Sequence, residues 1–254
     1  MSEHDISTTS LLLALSLVVI ALLVSNREKL GLEKEIIWSI TRAIVQLVIV
    51  GYVLKYLFQI NDRGLTVLMV AFICVNAALN ARKRSRHIDR AFIISLTAIT
   101  LSTTLTLAIL VWSGAIRFMP MQVIPITGMI AGNAMVAVGL CFNQLNQRFT
   151  DNQQKIQEML SLGAPVRVAS KRLMRDSIRA AMIPTIDAAK TVGLVSLPGM
   201  MSGLIFAGVD PVQAIKYQIM VTFMLLGTAS LSTIIACYLA YQRFYTPRGQ
   251  LRTF

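Results

Sequence analysis

Asp187 and Lys190 are the only charged residues in the apolar stretch Ala181–Ala207. An Asp at membrane depth is a candidate proton site, and a Lys three residues on can pair with it across one helix face. If both lie deep, each costs about 2.5–3.5 kcal/mol on insertion. The Leu, Ile, Val and Phe residues between Ile183 and Phe206 return only about 0.3–0.6 kcal/mol apiece, so such a helix is marginal alone. A span shifted to Thr191–Val209 would leave the pair at the cytoplasmic boundary. Both placements fit the sequence.

A second set of residues acts on the backbone. One stretch carries Pro120, Pro125, Gly128, Gly132 and Asn133, and another carries Pro184, Pro198, Gly199, Met200, Met201 and Gly203. Each holds a Gly-Met-x-small-Gly string, Gly128–Gly132 and Gly199–Gly203. A proline inside a span removes a backbone hydrogen bond, tolerated where protein or a wet cavity re-satisfies the freed carbonyl. Paired interrupted spans point to the substrate path of a transporter. The same Gly-x-x-x-Gly spacing also serves plain helix packing, including a homodimer seam. The 13 methionines could ligate a soft metal, but gap-filling in a packed interior is the expected role. Asn76, Asn80 and Asn133 are expected to bridge helices, and Glu3, His4 and Asp5 to form a solvated terminus rather than a metal site.

Several chemistries lack their parts. No GxxxxGK[ST] string is present, so no phosphate-cradling loop of that kind exists in this chain. HExxH and GxSxG are missing as well. The three cysteines, Cys74, Cys141 and Cys237, are dispersed in apolar stretches, without zinc or disulfide spacing. The chain is therefore read as a non-enzyme with no resident cofactor.

The elements that position these residues are membrane helices. Of 254 residues, 55% are hydrophobic and 14% charged, against about 25% charged in a soluble domain. The expected fold is all-α and polytopic, one transmembrane domain over residues 1–254 with about seven spans. These are Leu11–Val24, Ile36–Ile60, Leu65–Ala81, Ala91–Trp112, Met121–Phe142, Ala181–Ala207 and Tyr217–Tyr241. The leading Ser2-Glu3-His4-Asp5 does not resemble a secretory leader, so the first span is expected to be retained. With the N-terminus outside, the cytoplasmic side receives Arg27, Lys29, Lys34, the Arg82–Arg90 cluster, seven basic residues of Asn143–Ala180 and the tail arginines. The opposite side receives Arg63, Arg117 and Lys216. That bias sets an N-out, C-in orientation, and it explains the net charge of +12 without nucleic acid.

Only the connection of residues 143–180 is long enough to hold structure of its own. Asp151 and Gln154 resemble a helix start, Ile156, Met159 and Leu160 give an apolar stripe, Gly163 suits a stop and Pro165 a restart. Arg167, Lys171 and Arg175 then fall four apart on one face. Two roles fit two such short helices: a basic surface lying on anionic lipid, or a handle that docks a cytoplasmic motor.

Three long strings carry a resemblance: Met121 to Leu140, Arg175 to Pro184, and Lys190 to Gly208. They resemble the FetB family, and the similarity runs from Glu28 to Tyr241. Members of that family are permease subunits of bacterial ABC transporters in the inner membrane, associated with iron export and resistance to oxidative stress. Plant relatives are linked to aluminium tolerance. The resemblance implies a separate cytoplasmic ATPase subunit as partner, a homodimer, a metal cation as cargo, and a docking role for residues 143–180. ABC importers generally carry a cytoplasmic Glu followed six residues later by Gly. Here Gln157 stands at the Glu position relative to Gly163 and Glu158 is one off, so the contacts of that motif are not transferred. The rival from the residues alone is a stand-alone, ion-driven carrier using Asp187.

Overall fold

The computed structural model describes residues 13–60, 62–85 and 88–252. The chain is 81% helical, with no strands among the described residues. Among the described residues nine helices follow one another: α1 Ser16–Arg27, α2 Glu33–Ile60, α3 Arg63–Arg82, α4 Ala91–Trp112, α5 Pro120–Asp151, α6 Gln153–Ser161, α7 Val166–Thr191, α8 Gly199–Phe206 and α9 Pro211–Ala240. They fall into two compact units, one ending at Ile60 and one beginning at Asn61.

In the first unit α1 and α2 are joined by a turn through the left-handed residues Lys29 and Gly31. The Ser25 hydroxyl donates to the Glu33 carboxylate across it at 2.8 Å. None of the most apolar window of α2 is buried within the fold, and exposed Ile, Val and Leu run along it from Ile44 to Val53. A helix apolar on every side and about 42 Å long at the helical rise per residue is built to meet lipid.

The second unit is a bundle of α3, α4, α5 and α9. Asp62 caps α3 by accepting from the Leu65 amide at 2.7 Å, and Asp210 caps α9 by accepting from Val212 and Gln213. The helices meet on small residues: Ala78, Ala98, Ala131, Ala134 and Ala236 are fully buried. In lipid, association rests on such close packing rather than on water exclusion. Buried Ser95, Ser102 and Thr127 return their hydroxyls to carbonyls of their own helices. Polar contacts also cross the bundle, among them Thr106 with Thr228 at 2.8 Å and Asn133 Nδ2 donating to the Leu225 carbonyl at 3.2 Å. Asn76 and Asn80 bond carbonyls of α3 itself and bridge to no other helix among the described residues, contrary to expectation.

Among the described residues five helices are long and apolar enough to cross a membrane: α2, α3, α4, α5, and α9 with the short turn after it. The protein is an all-α, polytopic membrane protein. α1, in the first expected stretch, is a shorter apolar helix of 12 residues; Leu11 and the Glu3-His4-Asp5 cluster lie outside the described residues, as do Arg86 and His87. Two expectations need correction. The stretch Ala181–Ala207 is not one helix: α7 carries through to Thr191, a turn occupies residues 192–198, and α8 is only 8 residues long. Gly193 sits at φ +83°, and Pro198, without an N–H, stands extended just before α8. Likewise, residues 143–151 do not leave the membrane helix to form a new one. They complete α5, 32 residues long, so Asp151 ends a helix instead of starting one, and the joint is at Asn152. The expected stop and restart do occur: Gly163 has φ +86° and Pro165 immediately precedes α7.

Candidate translocation cavity

The break between α7 and α8 opens onto a cavity of about 390 Å³ between α5, α7 and α9. Met129 and Asn133 line it from α5, Pro184, Thr185, Ala188 and Ala189 from α7, and Val192, Ser196, Pro198, Gly199 and Met200 from the break and the start of α8. Gln218, Val221, Thr222 and Leu225 complete it from α9. No charged side chain is on this wall. Among the described residues no three His, Cys, Asp or Glu side chains come together as a metal-binding group.

Its polar donors are neutral. Gln218 is only 6% exposed, and its amide oxygen is buried with no hydrogen-bond partner among the described residues. A buried acceptor left unpaired costs about 1–3 kcal/mol, so it stands ready for a donor or a cation. Thr222 donates to the Gln218 carbonyl at 2.9 Å. The Asn133 amide nitrogen is occupied by Leu225, which leaves its amide oxygen as an acceptor. The amide and hydroxyl groups on this wall are neutral acceptors that can replace part of a hydration shell without a countercharge. Such a set suits passage: a solute must bind well enough to enter and weakly enough to leave.

Of the residues expected on the path, Asn133, Pro198, Gly199 and Met200 meet at this wall. Pro125, Gly128, Gly132, Met201 and Gly203 are not among its lining residues. A Cβ added at Gly128, Gly132, Gly199 or Gly203 would meet nothing within 4 Å, so neither Gly-x-x-x-Gly string brings two helices of this chain together. Asp187 and Lys190 pair with each other at 3.1 Å on an exposed surface. They fall off the α7 stripe of Pro184, Thr185, Ala188 and Ala189. Gln218 and Thr222 were missed, although Gln218 is the only amide side chain in the apolar run Tyr217–Tyr241, and polar groups in membrane spans carry function by default.

At the other end of α7 is the basic segment. Gln157, Glu158, Gly163, Arg167, Lys171 and Arg175 are all exposed, and the last three make no ion pair among the described residues. Ile156 is the buried anchor of α6, and Glu158 accepts from Gln154 at 3.1 Å. The C-terminal tail fastens this end. Phe244 stacks on Phe149 with centroids 4.2 Å apart, the Tyr245 and Ser170 hydroxyls are 2.6 Å apart, and Arg252 pairs with Asp89. Burial pushes the Tyr245 phenol up, against the opposing effect of the Ser170 hydrogen bond.

Residues 8–245 match the model of an uncharacterised protein family, UPF0014. The chain belongs to this family. Within UPF0014 it is 69% identical to the "Probable iron export permease protein FetB" of Escherichia coli K12, over 99% of this chain and 97% of that one. It is 37% identical to the rice membrane protein STAR2, over 94% of this chain and 84% of the relative. "Protein ALUMINUM SENSITIVE 3" of Arabidopsis thaliana is 35% identical over 94% of this chain and 88% of its own length. No solved structure matches.

Proposed function

We propose that this UPF0014 protein is the membrane-spanning permease subunit of an ABC exporter, moving iron or a related metal cation with a separate cytoplasmic ATPase. It works as a homodimer in the bacterial inner membrane, N-terminus out and C-terminus in. The observation that carries this is the continuity of α7. One helix of 26 residues presents Arg167, Lys171 and Arg175 at its exposed end and Pro184, Thr185 and Ala188 at the cavity wall. A push on the basic end moves the wall directly, and the turn at residues 192–198 is where the movement can be absorbed. The name of the E. coli relative supports iron as cargo, and that of the Arabidopsis relative supports a metal class wider than iron. A proton carrier working through Asp187 has less to stand on, since Asp187 is paired with Lys190 away from the cavity.

The test is ATP hydrolysis in proteoliposomes holding this chain and its candidate ATPase. Added ferrous iron should stimulate turnover, and the triple variant R167E/K171E/R175E should lose both stimulation and ATPase binding. Iron-driven turnover that survives the triple variant would overturn the docking role. Iron efflux that needs no ATPase would instead favour the carrier.

A further inference from the structure

A second cavity, of about 740 Å³, lies where α3 ends and α5 continues past it. Its wall is almost wholly polar: Lys83 and Arg84 from the end of α3, and Leu140, Asn143, Asn146, Gln147, Thr150 and Asp151 from α5. Four features argue that it is a site rather than a gap. Asn143, Gln147 and Thr150 recur at helical spacing after Leu140, so α5 presents one polar stripe beyond its apolar part. Gly139 lets the Arg84 stem lie on α5, since a Cβ there would stand 2.8 Å from Arg84 Cδ. Arg84 has no acidic partner among the described residues, and Lys83 reaches only the Asn80 amide oxygen at 3.4 Å. Asn146 has a buried amide oxygen with no partner among the described residues.

These groups ask for two things at once. Lys83 and Arg84 call for an anion, and a guanidinium favours a phosphate. The Asn146 oxygen and the Asp151 carboxylate call for hydrogen-bond donors, which a bare phosphate lacks. A phosphodiester with an ammonium or hydroxyl arm two or three atoms away satisfies both. That is the headgroup of phosphatidylethanolamine or phosphatidylglycerol. The position agrees: the apolar helix α3 ends at Arg82, so the cavity opens at headgroup level, where basic pockets between spans hold phospholipids. Leu79, one turn before Lys83, exposes apolar surface toward which an acyl chain can run.

We propose that Lys83, Arg84, Asn146 and Asp151 form a binding site for one phospholipid headgroup, the phosphate on the two cations and the donor arm on the two oxygens. This does not depend on the transport assignment. Native mass spectrometry of the full chain, released from nanodiscs of dioleoyl phosphatidylethanolamine and phosphatidylglycerol, reads it directly. The wild type should retain one lipid, K83Q/R84Q should retain it at least about tenfold less, and the control R117Q, at an exposed residue outside the cavity, should retain it fully. Phosphatidylcholine, which has the phosphate but no donor, should be held more weakly than either. A G139A variant, which displaces Arg84 but keeps both charges, should show an intermediate loss and serves if the double variant fails to fold. Equal retention by wild type and both variants, or of phosphatidylcholine and phosphatidylethanolamine, would overturn the site. Displacement of the lipid by soluble glycerophosphoethanolamine or inorganic phosphate at equal concentration would overturn the lipid assignment. So would K83Q/R84Q losing ATPase binding while keeping its lipid, which would give the cavity to the partner protein.

Discussion

The two Gly/Pro-rich stretches look alike in sequence and behave in opposite ways. Pro125 through Gly132 stays inside α5 without interruption, whereas Gly193 through Pro198 leaves the helix altogether. The difference is burial. Around Pro125, the residues Val123, Ile124, Ile126, Thr127, Ile130 and Ala131 are buried against α3, α4 and α9, and this packing outweighs one lost hydrogen bond and the low helix propensity of glycine. In the turn, Leu194 and Val195 are 89% and 84% exposed. Nothing there repays the helix, and Gly193 is free to adopt its left-handed conformation. The break therefore lies beside the cavity, where the backbone borders open space.

The sharpest way to break this comparison is to close the break. In G193A/P198A the turn regains helix-forming residues on both sides, and ATP-driven metal efflux from proteoliposomes that also hold the candidate ATPase should fall to background while the protein still inserts. Wild-type efflux in that variant would remove the break from the mechanism. Next in size is a contrast in stability. Ile130→Ala on α5 should cost about 2–5 kcal/mol, and Leu194→Ala in the turn less than about 0.5 kcal/mol, both followed by thermal unfolding in detergent. Similar losses at the two sites would mean that packing does not explain the different fates of the stretches.

A smaller change separates site from scaffold. Gln218→Leu removes a buried unpaired acceptor, so stability should hold or rise by about 1 kcal/mol while the metal concentration for half-maximal transport increases. A loss of stability together with transport would make Gln218 structural. The smallest effect concerns the tail. Tyr245→Phe should cost about 1 kcal/mol through the lost Ser170 hydrogen bond. The phenol's folded pKa is raised, so its neutral-form stabilisation is whole below the unfolded value, about 10, and fades as pH climbs through the folded value. Alkaline unfolding should therefore be less steep in the Phe variant.

Much of the fold was legible because lipid enforces simple rules. α4 coincides with its apolar stretch, Ala91–Trp112, and α2 and α3 begin within three residues of theirs, since a span must be long, apolar and hydrogen-bonded within itself. The Gly163 stop and the restart after Pro165 were also local, set by backbone chemistry. The site was only half legible. Asn133, Pro198, Gly199 and Met200 were named from helix breaks, whereas Gln218 belongs to a helix with no break and becomes notable only when the fold leaves its oxygen unpaired.

What the sequence determined by itself was the class: a helical membrane protein with basic loops and an exposed basic face at Arg167, Lys171 and Arg175, because hydropathy, charge and helical period are properties of the chain alone. Only the tertiary structure decided that α5 runs on to Asp151, that α7 joins the basic face to the cavity in one piece, and that the stretch after it breaks. Whether a proline or glycine ends a helix depends on what packs against it, and those partners lie tens of residues away.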